Sequence, residues 1–185
     1  MLPIHVALVS ETDQIDLAEL CGVAAALQKQ VIRDLTPAWG VQATVSPFPT
    51  LHDVPVGYWP VIVGPAAEVP GAGVHLGRHG QPYALARYSP TWSLTASHLT
   101  LELLIDPSGN RLVAGQSPKS GQGRVEFLLE GCDPCGDPSF AYTVNGVLVS
   151  DFVLPGYEDP SRSPASGTAS PARSPAPTRC SAAAT

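Results

Sequence analysis

The middle of the chain is an apolar segment bounded by turn signals, and it reads Trp92-Ser-Leu-Thr-Ala-Ser-His-Leu-Thr-Leu-Glu-Leu-Leu-Ile-Asp-Pro107. Ser89-Pro90 before it is typical of a helix start, and Pro107 followed by Ser-Gly-Asn is typical of a helix end. On a helical wheel the large apolar residues cover most of the circumference. This pattern predicts a helix that is buried on nearly every side.

One narrow stripe of this helix is polar, and it contains Thr95, His98, Glu102 and Asp106. His98 and Glu102 stand one turn apart, about 6 Å between Cβ atoms. Ionisable groups inside apolar protein must be paired, hydrated or bound to a metal. Zincin helices place two metal ligands at this spacing, with a glutamate general base directly after the first ligand. Here that residue is Leu99, which cannot accept a proton. A purely structural His98–Glu102 hydrogen bond is the alternative.

These residues resemble the helix of a family of small bacterial zincin-like proteins, which reads Ser-His-Glu-x-x-Glu-x-x-x-Asp-Pro. Ser97, His98, Glu102, Asp106 and Pro107 match this motif, and Leu99 departs from it. Three further blocks resemble the family in the same order, at residues 27–40, 130–134 and 145–155. The resemblance covers about residues 4–157. It implies a zincin-like α+β fold with a mixed β-sheet, two main helices and a C-terminal β-hairpin.

Hydrophobic periodicity predicts the other elements of this fold. Residues 14–35 are expected to form a helix that is capped by the polar residues at 10–13 and ended by Thr36-Pro37. Strands are predicted at 3–9, 40–47, 58–63, 83–88 (an edge strand) and 125–129. The Asn145-Gly146 pair predicts a type I′ hairpin between 141–144 and 147–152. Residues 64–82 and 107–124 are expected to be loops, with a short strand near 74–76.

Composition limits the classes of protein that the chain can belong to. Ten basic and sixteen acidic residues give a net charge of −6, which argues against a nucleic-acid surface. No apolar run reaches membrane-spanning length, and no leader peptide is recognisable, so a cytoplasmic location is expected. Few charges and much Ala, Pro and Gly are typical of high-GC bacterial genomes. Residues 1–157 are expected to form one domain, and 158–185 a disordered Pro/Ala/Ser-rich tail.

The resemblance implies a metal site in which His98 and Glu102 are ligands. A third ligand is expected from the segment after the helix, with Glu130 slightly preferred over Asp133. One histidine and two carboxylates would suit Zn²⁺ or a harder divalent ion, if an ion is retained. Asp106 is too far along a straight helix and is expected to cap the turn at Pro107. A substrate pocket is expected at His75, Tyr83 and Thr95.

Three functions follow as hypotheses. The first is a degenerate metallopeptidase site reused by a small-molecule or peptide tailoring enzyme of the cyclase or isomerase type, in natural-product biosynthesis. His98 and Glu102 could then act as an acid–base pair even without metal. The second is a non-catalytic binding or scaffold protein. The third is an active peptidase with an unusual base. A single Cys132-Asp-Pro-Cys135 motif is weak support for a zinc ribbon or a redox site.

Overall fold

A computed structural model describes residues 2–65, 67–117, 119–155 and 157 of the chain. They form a mixed α+β structure, which confirms the predicted class at that level. The helices are α1 (Leu17–Gln30), α2 (Thr36–Trp39) and α3 (Trp92–Ile105). The strands are β1 (Ile4–Ser10), β2 (Ala43–Phe48), β3 (Trp59–Gly64), β4 (Gly73–Arg78), β5 (Gln81–Arg87), β6 (Leu112–Gln116), β7 (Arg124–Leu128), β8 (Tyr142–Val144) and β9 (Val147–Val149). The predicted tail at 158–185 lies outside the described residues.

Five strands form the main sheet in the order β2-β1-β3-β5-β4. The first four of these are parallel to one another, and β4 runs antiparallel to β5. The prediction that residues 83–88 form an edge strand was therefore wrong, because β4 pairs along the full length of β5. The short strand predicted near residues 74–76 is confirmed as β4, which is the edge strand. The turn that connects it to β5 uses His79 and Gly80, both with positive φ.

One face of the sheet carries the core. Alternate residues on β1, β3 and β5 pack in one core cluster with the two long helices, and these are Val6, Leu8, Val61, Val63, Ala84 and Ala86. Ala7 and Val9 of β1 are fully buried as well. Helix α3 contacts β3, β4 and β5, and α1 contacts β1 and β2. The apolar residues of α3 are buried around most of its circumference, as its sequence predicts. The helix is thus fixed between the sheet and the segments that follow it.

The first helix begins and ends at different residues from those predicted. Its N-cap is Asp16, whose Oδ1 accepts a hydrogen bond from the Glu19 amide at 2.7 Å. After Gln30 the chain makes a π-helical turn at Val31–Leu35 and continues through Thr36-Pro37 into α2. Proline is tolerated there because it lies in the first turn of the new segment, where few amide donors have helical partners. Gly40, with φ of 70°, ends the helix.

Two small antiparallel hairpins complete the structure. The predicted hairpin is confirmed as β8 and β9, and Asn145 and Gly146 both have the positive φ of a type I′ turn. The second hairpin pairs β6 with β7. Strand β6 falls in a segment that was predicted to be a loop. It was missed because it is short, mostly exposed and contains a glycine. Within the described residues, no helix combines the length and the hydropathy needed to cross a bilayer.

Candidate metal centre

The polar stripe of α3 faces the loop that follows β7. The Nε2 atom of His98 lies 3.1 Å from Oδ1 of Asp133 and 3.9 Å from Oε1 of Glu102. Asp133 begins a single 3₁₀ turn, Asp133–Cys135, which turns its side chain back toward α3. Residues from the helix and from the loop therefore meet at one point, which is the first requirement for a site.

Glu102 fastens this loop to the helix. Its Oε1 accepts a hydrogen bond from the Cys132 amide at 2.6 Å, and its Oε2 accepts one from the Gly131 amide at 3.2 Å. The residue is only 1% exposed. Burial raises the pKa of Glu102 to about 7, although the two amide donors partly oppose this shift. Nearby Glu130 and Asp133 raise the pKa further, so Glu102 changes its charge near neutral pH.

His98 and Asp133 form the more open part of the group. Burial lowers the pKa of His98, and the neighbouring Asp133 carboxylate partly offsets that effect. A neutral imidazole is the form that coordinates a metal ion. The side chain of Asp133 is 65% exposed, so the group reaches solvent on this side. A ligand or an ion could enter from there without unfolding the loop.

The three side chains fit a divalent cation. One ligand atom from each of His98, Glu102 and Asp133 lies within 4.8 Å of the other two. A tetrahedral ion with bonds of about 2.0–2.1 Å needs ligand atoms roughly 3.3 Å apart, so small side-chain rotations are sufficient. Three protein ligands would leave one or more positions for water or substrate, as in catalytic rather than structural zinc sites.

The structure brings together some of the predicted site residues and not others. Asp133 belongs to the cluster, whereas Glu130, the preferred third ligand, does not. Glu130 is half-buried, and burial together with Asp133 raises its pKa. Asp106 closes the turn after α3, as predicted, by accepting a hydrogen bond from the Arg111 amide at 2.6 Å.

The three predicted pocket residues divide between the two faces of the sheet. His75 pairs with Ala84, whose side chain is buried in the core on the α3 side. Thr95 also faces β4, since a Cβ atom on Gly73 would lie 3.3 Å from its Cγ2. Tyr83 precedes Ala84, so strand alternation puts it on the opposite face, beside Arg78 and Gln81. The structure therefore does not bring Tyr83 to His98.

A second histidine, His75, lies near enough to His98 to affect its pKa. Its charge lowers the pKa of His98, and its own pKa is lowered by burial despite the opposing effects of Asp106 and Asp133. Its Nε2 atom is buried and has no hydrogen-bond partner within the described part of the chain. A Cβ atom on Gly109 would lie 3.1 Å from it, so the turn after α3 covers this nitrogen.

Leu99 stands where the zincin-like motif has a glutamate, and in the structure it is a core residue. It is 5% exposed, and it packs so closely on β4 that a Cβ atom on Gly73 would lie 2.6 Å from its Cδ1. The added Cβ atom would also lie 2.7 Å from the backbone oxygen of Leu85. Because backbone cannot move aside as a side chain can, the Leu85 oxygen on β5 excludes a side chain at Gly73, and Leu99 of α3 packs against the space that this glycine leaves.

We expect Gly73→Ala to lower the free energy of unfolding by about 1–3 kcal/mol, since the added methyl group overlaps its neighbours. Gly77→Ala is the matched control, because it lies on the same strand and a Cβ atom there meets nothing within 4 Å. Thermal unfolding of the two variants measures the difference. Equal stabilities would show that Gly73 is not packed this closely against Leu85 and Leu99.

The two cysteines of the loop are buried thiols. Cys132 is completely inaccessible and Cys135 is 2% exposed. Burial, with the Glu102 carboxylate beside it, raises the pKa of Cys132 well above its ordinary value. Reactive thiols need a lowered pKa and access to solvent, so this motif lacks the features of a redox centre.

A second polar cluster, which the sequence analysis did not find, lies between α1, α3 and the β8–β9 hairpin. Gln30 is 1% exposed, and its side chain bonds to the Tyr142 hydroxyl, the Ser150 carbonyl and the Ser97 hydroxyl. Ser97 also accepts a hydrogen bond from the Ser150 amide. The available signal was a glutamine three residues after buried Leu27, on the apolar side of α1.

Comparison with known proteins gives no family model, no curated protein and no solved structure that matches the chain. The zincin-like resemblance therefore remains a prediction from the sequence motifs.

Proposed function

We propose that the chain is a zincin-like protein that binds a divalent cation through His98, Glu102 and Asp133. The observation that carries this proposal is the convergence of the three ligand atoms at a point that is buried on one side and open on the other. Elsewhere in a core a buried carboxylate would be costly, and a cation offsets that cost. Zn²⁺ is the first candidate, and Mn²⁺ or another harder ion suits the two carboxylates.

A bound ion would polarise a carbonyl group or lower the pKa of a bound water. Leu99 offers no proton acceptor, so ordinary peptide hydrolysis is expected to be weak. In the ion-free protein, by contrast, Glu102 and His98 would form an acid–base pair that exchanges protons with a substrate, because the pKa of Glu102 is raised to about 7. We therefore favour a tailoring reaction of the cyclase or isomerase type on a small molecule or peptide.

A scaffold role is the second candidate, and one observation favours it. Both oxygens of Glu102 already bond to the backbone of the loop, so the carboxylate has a structural task without any ion. The same bonds count against any enzyme, peptidase or tailoring enzyme, in which Glu102 serves as the base. Such an enzyme would need Glu102 to release at least one of these amides during each turnover.

Calorimetric titration of the purified, metal-stripped protein with Zn²⁺ and with Mn²⁺ tests the proposal. We expect one ion per chain. The affinity should fall about tenfold for each pH unit below 7, because the Glu102 proton must leave when the ion binds. Above that pH the affinity should change less, since the carboxylate is already charged.

Variants of the cluster separate the candidates. His98→Ala and Asp133→Ala are expected to weaken binding by at least about tenfold to a hundredfold, while His52→Ala, an exposed histidine on another loop, should bind as the parent does. Binding that survives in both cluster variants would remove the metal proposal. Absence of binding in the parent, with both variants folded, would favour the scaffold.

A further inference from the structure

Asp151 is a buried carboxyl group outside the candidate metal centre. It follows β9, is 1% exposed, and its Oδ1 accepts a hydrogen bond from the Phe152 amide at 2.9 Å. Its Oδ2 is also buried and has no hydrogen-bond partner among the described residues. A charged oxygen in such a position would be an uncompensated buried charge, which proteins rarely tolerate.

The groups around Asp151 favour its neutral form. From the π-helical turn it faces Asp34, from β8 it faces Tyr142, and from the loop it faces Cys132. Arg33, the cation next to Asp34 in the chain, donates two hydrogen bonds to the Asp34 carboxylate, of 2.6 and 2.7 Å. Tyr142 donates its hydroxyl proton to Asp34 at 2.8 Å. Burial and the Asp34 charge together raise the pKa of Asp151.

The segment that contains Asp151 supports the loop of the metal centre. The Val153 amide donates to the Gly131 carbonyl at 2.8 Å, and the Gly131 amide in turn donates to Glu102. Cys132, the next residue of the loop, is fully buried and lies in the field of Asp151. Residues 151–153 therefore hold the backbone at Gly131, which donates to Glu102 and lies two residues before the proposed ligand Asp133.

We propose that Asp151 is a positioning residue whose carboxyl group, while neutral, keeps segment 151–153 against the loop and, when ionised, releases the loop and weakens the cation site. The second half of this inference rests on the proposed function, whereas the first half does not. An ionised Oδ2 needs water or a donor, and the segment can reach either only by turning outward. Turning outward breaks the bond from Val153 to Gly131.

The sign of the pH dependence follows from the raised pKa. An acid whose pKa is higher in the folded state stabilises the closed arrangement at low pH, and this contribution is lost as the pH rises through the folded value. Loop closure should therefore weaken toward alkaline pH.

Asp151→Asn tests this inference, because asparagine keeps an acceptor and a donor in place of a neutral acid and cannot ionise. The carboxyl carbon of Asp151 is followed by ¹³C NMR against pH in the metal-free protein, and the variant assigns its signal. Amide exchange at Gly131 and Cys132 is compared between parent and variant at each pH, so that the intrinsic pH effect on exchange cancels. Asp13→Asn, an exposed aspartate, is the control.

We expect the Asp151 signal to titrate above the ordinary aspartate range. Above that pH the parent amides should exchange faster than those of Asp151→Asn, by about tenfold for each unit of pKa elevation. Titration near 3.9, the ordinary value, would overturn the inference, and so would equal exchange at every pH. If exchange responds but no ion binds the parent, the proposed function fails while the control of the loop by Asp151 stands.

Discussion

Glu102→Ala is expected to abolish cation binding and to lower the free energy of unfolding by about 2–5 kcal/mol. The Gly131 and Cys132 amides both lose their acceptor in a buried site, at about 1–3 kcal/mol each. Released from Glu102, the loop would no longer hold Asp133 beside His98. One substitution should thus remove a ligand and displace a second one.

The loss of stability should depend on pH in a defined direction. The pKa of Glu102 is raised to about 7 in the folded protein, so the native environment favours its neutral form. The stability that this residue contributes is greatest at acid pH and declines as the pH rises toward 7. The difference between parent and Glu102→Ala should accordingly be larger near pH 5 than near pH 8. Urea unfolding at several pH values measures it.

Glu126→Ala is the control for this substitution, because Glu126 is exposed on β7 and surface changes of this kind stay within about 0.5 kcal/mol. A variant at 102 that retained full stability would show that the loop does not depend on the carboxylate. Retained cation binding in that variant would show that the ion, if any, sits elsewhere.

Gln30→Leu is expected to destabilise the protein by about 3–5 kcal/mol, although leucine has nearly the same volume. The glutamine amide donates to the Tyr142 hydroxyl at 3.0 Å and to the Ser150 carbonyl at 2.7 Å, and its oxygen accepts from Ser97 at 2.9 Å. Leucine would remove one hydrogen-bond partner from each of Tyr142, Ser150 and Ser97, and such buried networks lose more than the sum of their bonds.

Lys29→Ala is the neighbouring control. Lys29 is exposed, and its bond to the Asn145 side chain lies at the surface, so its loss should cost about 0.5 kcal/mol or less. Thermal unfolding of both variants compares the two positions. A neutral Gln30→Leu would mean that an apolar core can replace the network, as happens for some buried ion pairs.

The sequence predicted the elements well where a single periodicity extends over many residues. Helix α3 is one such case. The β8–β9 hairpin was predicted for a different reason, because Asn-Gly has few alternative turns. The end of the first helix was misjudged at Thr36-Pro37, where a π-helical turn lets the chain begin a new helical segment. Such a turn depends on packing along the helix rather than on any residue type.

The candidate site was predicted in part. His98 and Glu102 follow from spacing along one helix, so their proximity needs no knowledge of the rest of the fold. The choice between Glu130 and Asp133 depends on the path of a loop that is held by backbone amides, and those carry no sequence signature. Strand β4 lies at the edge because β5 pairs with β3 on its other side, and that strand order is not encoded in local patterns.

The π-helical turn at Val31–Leu35 has a consequence for insertions and deletions. Such a turn accommodates one residue more than a regular α-helix would. Removing one residue there would rotate everything beyond it by about 100° around the helix axis. Trp39, whose indole nitrogen donates to the Val153 carbonyl at 3.0 Å, would then point away from the segment that supports the loop. The number of residues in this turn therefore affects how the loop that carries Asp133 is held, although the two segments are far apart in the sequence.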